Sequence, residues 1–138
     1  MKVLVDTSVW SLALRRSAPI HAGPARELRN LILDHRVCLI GPIRQELLSG
    51  IRDETQFQRV EQHLAAFPDI PVVVEDYIKA ARFFNVCQSH GIQGSNTDFL
   101  ICSVAVRNRL AIFSTDGDFM HFAKHLPITM HHVRKIGP

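Results

Sequence analysis

The sequence predicts an α/β protein, a three-layer sandwich in which helices flank a parallel sheet of four to five strands. Short apolar runs, such as residues 3–5 and 37–40, alternate with longer segments whose apolar residues recur at helical spacing. Alternation of this kind indicates parallel strands joined by right-handed crossovers. A chain of 138 residues with 46% hydrophobic content is typical of one globular domain, which we place at residues 1–138.

The first predicted strand, residues 3–5, comes very early in the chain and stops at Asp6. A continuous apolar run of this length is typical of a strand covered on both faces. Thr7 and Ser8 are suited to cap the helix that should follow. An acid at the carboxyl end of a buried parallel strand lies where open α/β sheets bind their ligands.

The middle of the chain should add a second strand and three more helices. After a loop at residues 15–24, a helix is expected from Pro24, a residue favoured at the first helical position. A strand at 37–40 leads into a helix that carries Glu46, and Thr55 should cap the next helix.

The last half should supply three more strands and three helices. We expect a third strand at residues 70–74 and a helix from Asp76 with Tyr77 on its inward face. The segment from residue 95 to 110 is apolar on most sides, which predicts a buried helix. Strands at 110–113 and 128–130, with a short helix between them, complete the prediction.

Composition narrows the class of protein. A net charge of +3 permits an anionic partner without requiring one. The three cysteines, Cys38, Cys87 and Cys102, are odd in number and far apart, which fits a reducing cytoplasm better than a disulfide framework. No segment has the length of a membrane span or the pattern of a signal peptide. The eight histidines do not form a metal motif and are expected at the surface.

Acids follow three of the predicted strands, near their carboxyl ends. Asp6 follows the first strand directly, and Glu46 comes six residues after the second. Asp116 and Asp118 follow the fourth strand, and Asp98 opens the buried helix. Because the loops after parallel strands open on one side of a sheet, these carboxylates are expected to converge.

Each acid alone could simply stabilise a helix N-terminus, by roughly 0.3–1 kcal/mol. Several carboxylates in one crevice repel each other, and this costs more than the caps return. A divalent cation relieves the repulsion, and carboxylate ligands without Cys or His favour Mg²⁺ or Mn²⁺ over Zn²⁺. The predicted metal ligands are Asp6, Glu46 and Asp98, with Asp116 or Asp118 as the fourth.

A cation held by carboxylates is suited to chemistry on phosphate, since it can activate a water and stabilise the leaving oxygen. Polar side chains beside the acids could orient a water or support a ligand carboxylate. These supporting residues are Thr7, Ser8, Asn96, Ser114 and Thr115. Four arginines flank the predicted crevice and could hold an RNA backbone, although solvated helix ends explain them equally well. They are Arg15, Arg16, Arg44 and Arg52.

Four segments together resemble the acidic motifs of PIN-domain ribonucleases, and more narrowly those of the VapC toxins of type II toxin–antitoxin systems. They are residues 3–8 (VLVDTS), 44–50 (RQELLSG), 96–98 (NTD) and 114–119 (STDGDF). The resemblance implies a five-stranded parallel sheet in the order 3-2-1-4-5, Mg²⁺- or Mn²⁺-dependent RNA cleavage, a homodimer and a VapB-like antitoxin. It assigns catalytic roles to Asp6, Glu46, Asp98, Asp116 and Asp118. Which of the last two ligates metal stays open.

The leading hypothesis is therefore a cytoplasmic, metal-dependent endoribonuclease toxin that hydrolyses structured RNA, tRNA or rRNA, with a metal-activated water. Exposed apolar surface, including Trp10 or Leu14, should mark its protein contacts. A haloacid-dehalogenase-like phosphatase also places an Asp after its first strand, but it needs a second acid where Ser8 stands. A third alternative is a non-catalytic binding module. Carboxylates within reach of one Mg²⁺-sized point would discriminate against it.

Overall fold

A computed structural model describes residues 1–14 and 23–134. Its strands are β1 (Val3–Val5), β2 (Val37–Cys38), β3 (Ala111–Phe113) and β4 (Thr129–Met130). Its helices are α1 (Thr7–Leu14), α2 (Gly23–Leu33), α3 (Gly41–Leu48), α4 (Glu54–Leu64), α5 (Val74–Ser89), α6 (Asn96–Asn108) and α7 (Asp118–Phe122). All pairings between these strands are parallel, so the predicted α/β class is confirmed.

The sheet has the order β2-β1-β3-β4, with β1 at its centre. Val3 pairs with Val37 on one side, and Val5 pairs with Phe113 on the other. Every residue of β1 is buried, as expected of a strand covered on both faces. The four strands correspond to positions 2-1-4-5 of the implied five-stranded order.

The predicted third strand at residues 70–74 was wrong. Within the described part of the chain, a single parallel bridge between Leu39 and Asp69 extends the sheet beyond β2. Pro71 has no N–H to donate to a ladder. The N–H of Val73 instead donates to the Asp76 carboxylate at 2.9 Å, because Val73 is the N-cap residue of α5. The chain therefore turns into a helix where a strand was expected.

Two of the predicted helix details were also wrong. Asp53, not Thr55, caps α4, since its carboxylate accepts the Gln56 N–H at 3.0 Å. Tyr77 does not face inward, because the buried stripe of α5 includes Ala80 and Phe83 instead. The prediction of a buried α6 is confirmed. Among the described helices, none is both long and apolar enough to cross a membrane.

Two buried acids join distant segments through ion pairs. Asp76 accepts from Arg107 at 2.7 Å and links α5 to α6. Glu27 of α2 contacts His131 at 2.6 Å and Arg134 at 3.0 Å, which anchors the segment after β4. His131 is thus largely buried and not at the surface as expected. For both acids burial favours a higher pKa, but the hydrogen bonds outweigh it and hold the pKa below its ordinary value.

Loss of the Asp76 carboxylate should destabilise the protein and change its response to acid. Because its pKa is depressed, its stabilising contribution is present above the unfolded pKa of about 3.9 and is lost as the pH falls through the folded value. We expect Asp76→Ala to lower the free energy of unfolding at pH 7 by about 1–3 kcal/mol. Its loss of stability below about pH 4 should be shallower than that of the wild type.

Urea unfolding at a series of pH values measures both effects. Glu75→Ala is the matched control, because Glu75 is the exposed neighbour of Asp76 in the same helical turn. Equal destabilisation by the two substitutions would contradict a specific role for the Asp76–Arg107 pair.

Candidate metal centre

Asp6 lies at the junction between β1 and α1, and two serine hydroxyls orient it. Its N–H donates to the Phe113 carbonyl at 2.9 Å, which continues the β1–β3 ladder by one residue. The Oδ2 atom of Asp6 accepts from Ser8 at 2.9 Å and from Ser114 at 2.8 Å. Asp6 is 7% exposed, so its carboxylate is held in place within a largely buried setting.

The residues after β3 join the same hydrogen-bond network. The N–H of Thr115 donates to the Ser8 hydroxyl at 3.1 Å, and the N–H of Asp116 donates to Ser114 Oγ at 3.0 Å. Ser8 and Ser114 therefore connect the start of α1 to the loop after β3. The predicted supporting residues Ser8, Ser114 and Thr115 are brought together with Asp6, as their positions at adjacent strand ends imply.

Asp98 is the third residue of α6 and forms a capping box with Ser95. Its carboxylate accepts the Ser95 N–H at 3.0 Å, and the Ser95 hydroxyl accepts the Asp98 N–H at 3.1 Å. Burial raises the pKa of Asp98 above its ordinary value, and the negative charges of Asp6 and Asp116 raise it further. Asp98 is therefore close enough to Asp6 and Asp116 for their charges to act on it.

Cys102 lies one turn further along α6 and is fully buried. Burial raises the pKa of its thiol strongly, and the charges of Asp98 and Asp6 add to this effect. The thiol stays neutral near the carboxylates, so we assign it a packing role.

Glu46 reaches the site through Thr7, the residue next to Asp6. The Thr7 hydroxyl donates to Glu46 Oε2 at 2.8 Å, and this contact joins α1 to α3. Asp118 is positioned differently, since its N–H donates to Asp116 Oδ1 at 3.0 Å while its own side chain is exposed. Of the two acids after β3, Asp116 is the one whose charge acts on Asp98.

The donor set suits a hard divalent cation, although the side chains do not yet form a coordination sphere. Carboxylates and hydroxyls are the ligands that Mg²⁺ and Mn²⁺ prefer. Within residues 1–14 and 23–134, no three acidic, His or Cys side chains stand ready to hold one ion. The expected cluster of carboxylates within reach of one Mg²⁺-sized point is therefore not formed by the described residues. We call Asp6, Glu46, Asp98 and Asp116 the acidic centre.

The four arginines that were expected to flank the crevice differ in whether their side chains are engaged by other residues. Arg44 pairs with Asp69 at 2.9 Å and also donates to the Leu64 and Phe67 carbonyls. Its guanidinium is therefore engaged in holding the segment after α4, and we remove it from the proposed RNA contacts. Arg52 is exposed. The other two, Arg15 and Arg16, lie outside the described residues.

A PIN-domain family model matches residues 3–125. The chain belongs to the PIN-domain family. A curated relative, the VapC ribonuclease Mb1587 of Mycobacterium bovis, is 30% identical over 121 residues, which cover 85% of this chain and 88% of the relative. This PIN-domain chain is thus a member of the VapC ribonuclease group, as its four acidic motifs indicated.

Solved PIN-fold structures share the architecture at lower identity. FitAcB from Neisseria gonorrhoeae has a TM-score of 0.75 and 19% identity, covering 94% of this chain and 96% of that one. VapBC2 from Rickettsia felis, bound to a DNA fragment from its promoter, has a TM-score of 0.75 and 16% identity, covering 95% and 98%. At such identity these likenesses support the fold of the PIN-domain chain and nothing finer.

Asp98→Asn should raise the thermal midpoint of the metal-free protein by a few degrees. The substitution removes a carboxylate that burial and two neighbouring charges disfavour, while the amide oxygen can still accept the Ser95 N–H. Mn²⁺ should raise the midpoint of the wild type by binding the folded state, and this rise should shrink in the variant.

Thermal unfolding in EDTA and in excess Mn²⁺ measures both effects, with Glu61→Gln on the exposed side of α4 as the control. A lower midpoint for Asp98→Asn in EDTA would mean that Asp98 serves chiefly as a helix cap. An unchanged response to Mn²⁺ would remove Asp98 from the ligand set.

Proposed function

We propose that residues 1–138 form one PIN domain that hydrolyses phosphodiester bonds in structured RNA, as the toxin of a type II toxin–antitoxin pair. The observations that carry the proposal are the Asp6 carboxylate that Ser8 and Ser114 hold at the end of β1, and the effect of the Asp6 and Asp116 charges on Asp98, in a chain of the VapC group. A non-catalytic module has no use for carboxylates such as Asp98, whose pKa is raised by burial and by two neighbouring charges. Tight packing alone would favour their replacement.

PIN-domain ribonucleases are generally metal-dependent, and we propose Mg²⁺ or Mn²⁺ for this chain. Asp6, Glu46, Asp98 and Asp116 would hold it, and Ser8 and Ser114 keep Asp6 in the orientation to do so. The cation supplies positive charge to the phosphate and lowers the pKa of a water when it is bound.

We propose that cleavage proceeds without a covalent intermediate between the protein and the RNA. None of the proposed acidic residues is needed as a nucleophile, because water can attack phosphorus directly. We therefore propose products with a 5′-phosphate and a 3′-hydroxyl. Unpaired loops of tRNA or rRNA are the proposed sites, since their bases can be splayed out of the stack. Arg52, with Arg15 and Arg16, is proposed to contact the backbone.

RNA cleavage tests the proposal directly. Purified protein should cut total RNA with Mg²⁺ or Mn²⁺ present and should lose this activity in EDTA. Asp6→Asn should reduce cleavage at least a hundredfold, because Asp6 is the acid that the sheet and two serines hold in place. Glu61→Gln serves as the control. Cleavage that survives EDTA, or that leaves a 2′,3′-cyclic phosphate, would contradict the mechanism.

The partners are also a matter of proposal. The structural neighbours include a VapBC complex and FitAcB, and we propose a VapB-like antitoxin and a homodimer for this chain. Trp10 does not contribute exposed apolar surface, since it is 4% exposed and packs edge-on against Phe67 with ring centroids 5.3 Å apart. Leu14 is half-buried.

The three cysteines are free and buried, in keeping with the cytoplasmic location that we propose.

Co-expression with the neighbouring gene of its operon tests the partners. We expect a small antitoxin to co-purify and to suppress RNA cleavage, and we expect light scattering to give twice the chain mass for the free protein. A monomer at micromolar concentration, or a neighbouring gene product that neither binds nor inhibits, would argue against these assignments.

A further inference from the structure

A cavity of about 430 Å³ opens between α3, α5 and α6, two of which carry acids of the acidic centre. Thr97 lines it and immediately precedes Asp98 in the chain. Pro42 lines it from α3, one helical turn or about 6 Å before Glu46. The same two helices thus carry acids of the centre and walls of the cavity. Its volume is within the range of roughly 300–1,000 Å³ that is typical of ligand pockets.

The walls combine an aromatic ring, small apolar side chains and uncharged polar groups. Tyr77 is the largest side chain that lines the cavity, and it is 57% exposed. Among the described residues, no hydrogen bond engages the side chains of Tyr77, Asn96 or Thr97. These three groups are therefore free to contact a ligand. Neither Lys nor Arg is among the described residues that line the cavity, so the walls are unsuited to phosphate.

We propose that this cavity binds one nucleobase of the RNA substrate, beside the phosphodiester bond that is cut at the acidic centre. Tyr77 stacks on the base, and Asn96 and Thr97 contact its polar edge. The inference rests on the proposed ribonuclease function. In this proposal the cavity selects the RNA site that is cut, and the carboxylates of the acidic centre act in the cleavage itself.

A flat group with polar edges and no charge is what these walls fit best. Aromatic side chains bind unpaired bases by stacking, and amide and hydroxyl groups bind their edges. An apolar protein helix would leave the amide of Asn96 and the hydroxyl of Thr97 without partners, which disfavours its binding. A base satisfies both the ring and the polar groups.

The test uses a short oligoribonucleotide that spans a mapped cleavage site, with an abasic residue placed at each position in turn. For the wild type with Mn²⁺, we expect one position next to the cut at which the abasic residue raises KM by about 5–150-fold, the value of one stacked base. On the intact oligonucleotide, Tyr77→Ala should raise KM by a similar factor. On the oligonucleotide with the abasic residue at that position, Tyr77→Ala should raise KM no further. The value of kcat should change little, and Tyr77→Phe should restore KM.

Ile78→Ala is the matched control, because Ile78 is the exposed neighbour of Tyr77 and does not line the cavity. The inference is wrong if the abasic effect is equal in the wild type and Tyr77→Ala, or if Ile78→Ala costs as much. It is also wrong if Tyr77→Ala alters the oligomeric state in light scattering, since Tyr77 would then belong to a protein contact.

Failure of the proposed function gives a different result, because the wild type would then not cleave RNA with any divalent cation. The cavity is still tested in that case with oligoribonucleotides that carry fluorescent 2-aminopurine at each position, added to Asp6→Asn. Stacking should quench the fluorescence at one position, and the further change Tyr77→Ala should abolish the quenching. Quenching that survives Tyr77→Ala, or that is absent throughout, would refute the base site.

Discussion

The parallel pairing of β1 with β3 is the interaction on which the acidic centre depends. Val5 lies opposite Phe113, so the next residue of each strand, Asp6 and Ser114, emerge side by side. The Ser114 hydroxyl then donates to Asp6 at 2.8 Å. A shift of the register by one residue would turn every side chain of β1 to the opposite face. Burial of the whole of β1 opposes such a shift and thereby keeps Asp6 at the crevice.

Most of the fold could be predicted because its central strands are unbroken apolar runs that end abruptly at acids or hydroxyl residues. The segment at residues 70–74 failed because its apolar pattern does not reveal competition for backbone N–H groups. Asp76 takes the N–H of Val73, and Pro71 offers none. Tyr77 was misplaced because the adjacent residues Phe83 and Phe84 are both apolar, so the spacing alone does not decide which side of α5 is buried.

The acids of the site could be named from sequence because parallel strands place their carboxyl ends on one edge. Their individual settings could not, since these depend on contacts between residues far apart in the chain. Arg44 lies two residues before Glu46 in sequence, yet Asp69 engages it. The choice between Asp116 and Asp118 rests on charge coupling with Asp98, which only the folded positions define. The cavity beside Tyr77 has no sequence signal of its own.

The acids of this protein fall into two classes according to their partners. Asp69, Asp76 and Glu27 are each paired with an arginine. Asp6 and Asp98, by contrast, receive only hydroxyl and amide hydrogen bonds from the described residues. The sequence contains sixteen Lys and Arg residues, so positive charge is not scarce. Neutral donors orient a carboxylate without satisfying its charge, so Asp6 and Asp98 have the arrangement that the proposed metal site requires.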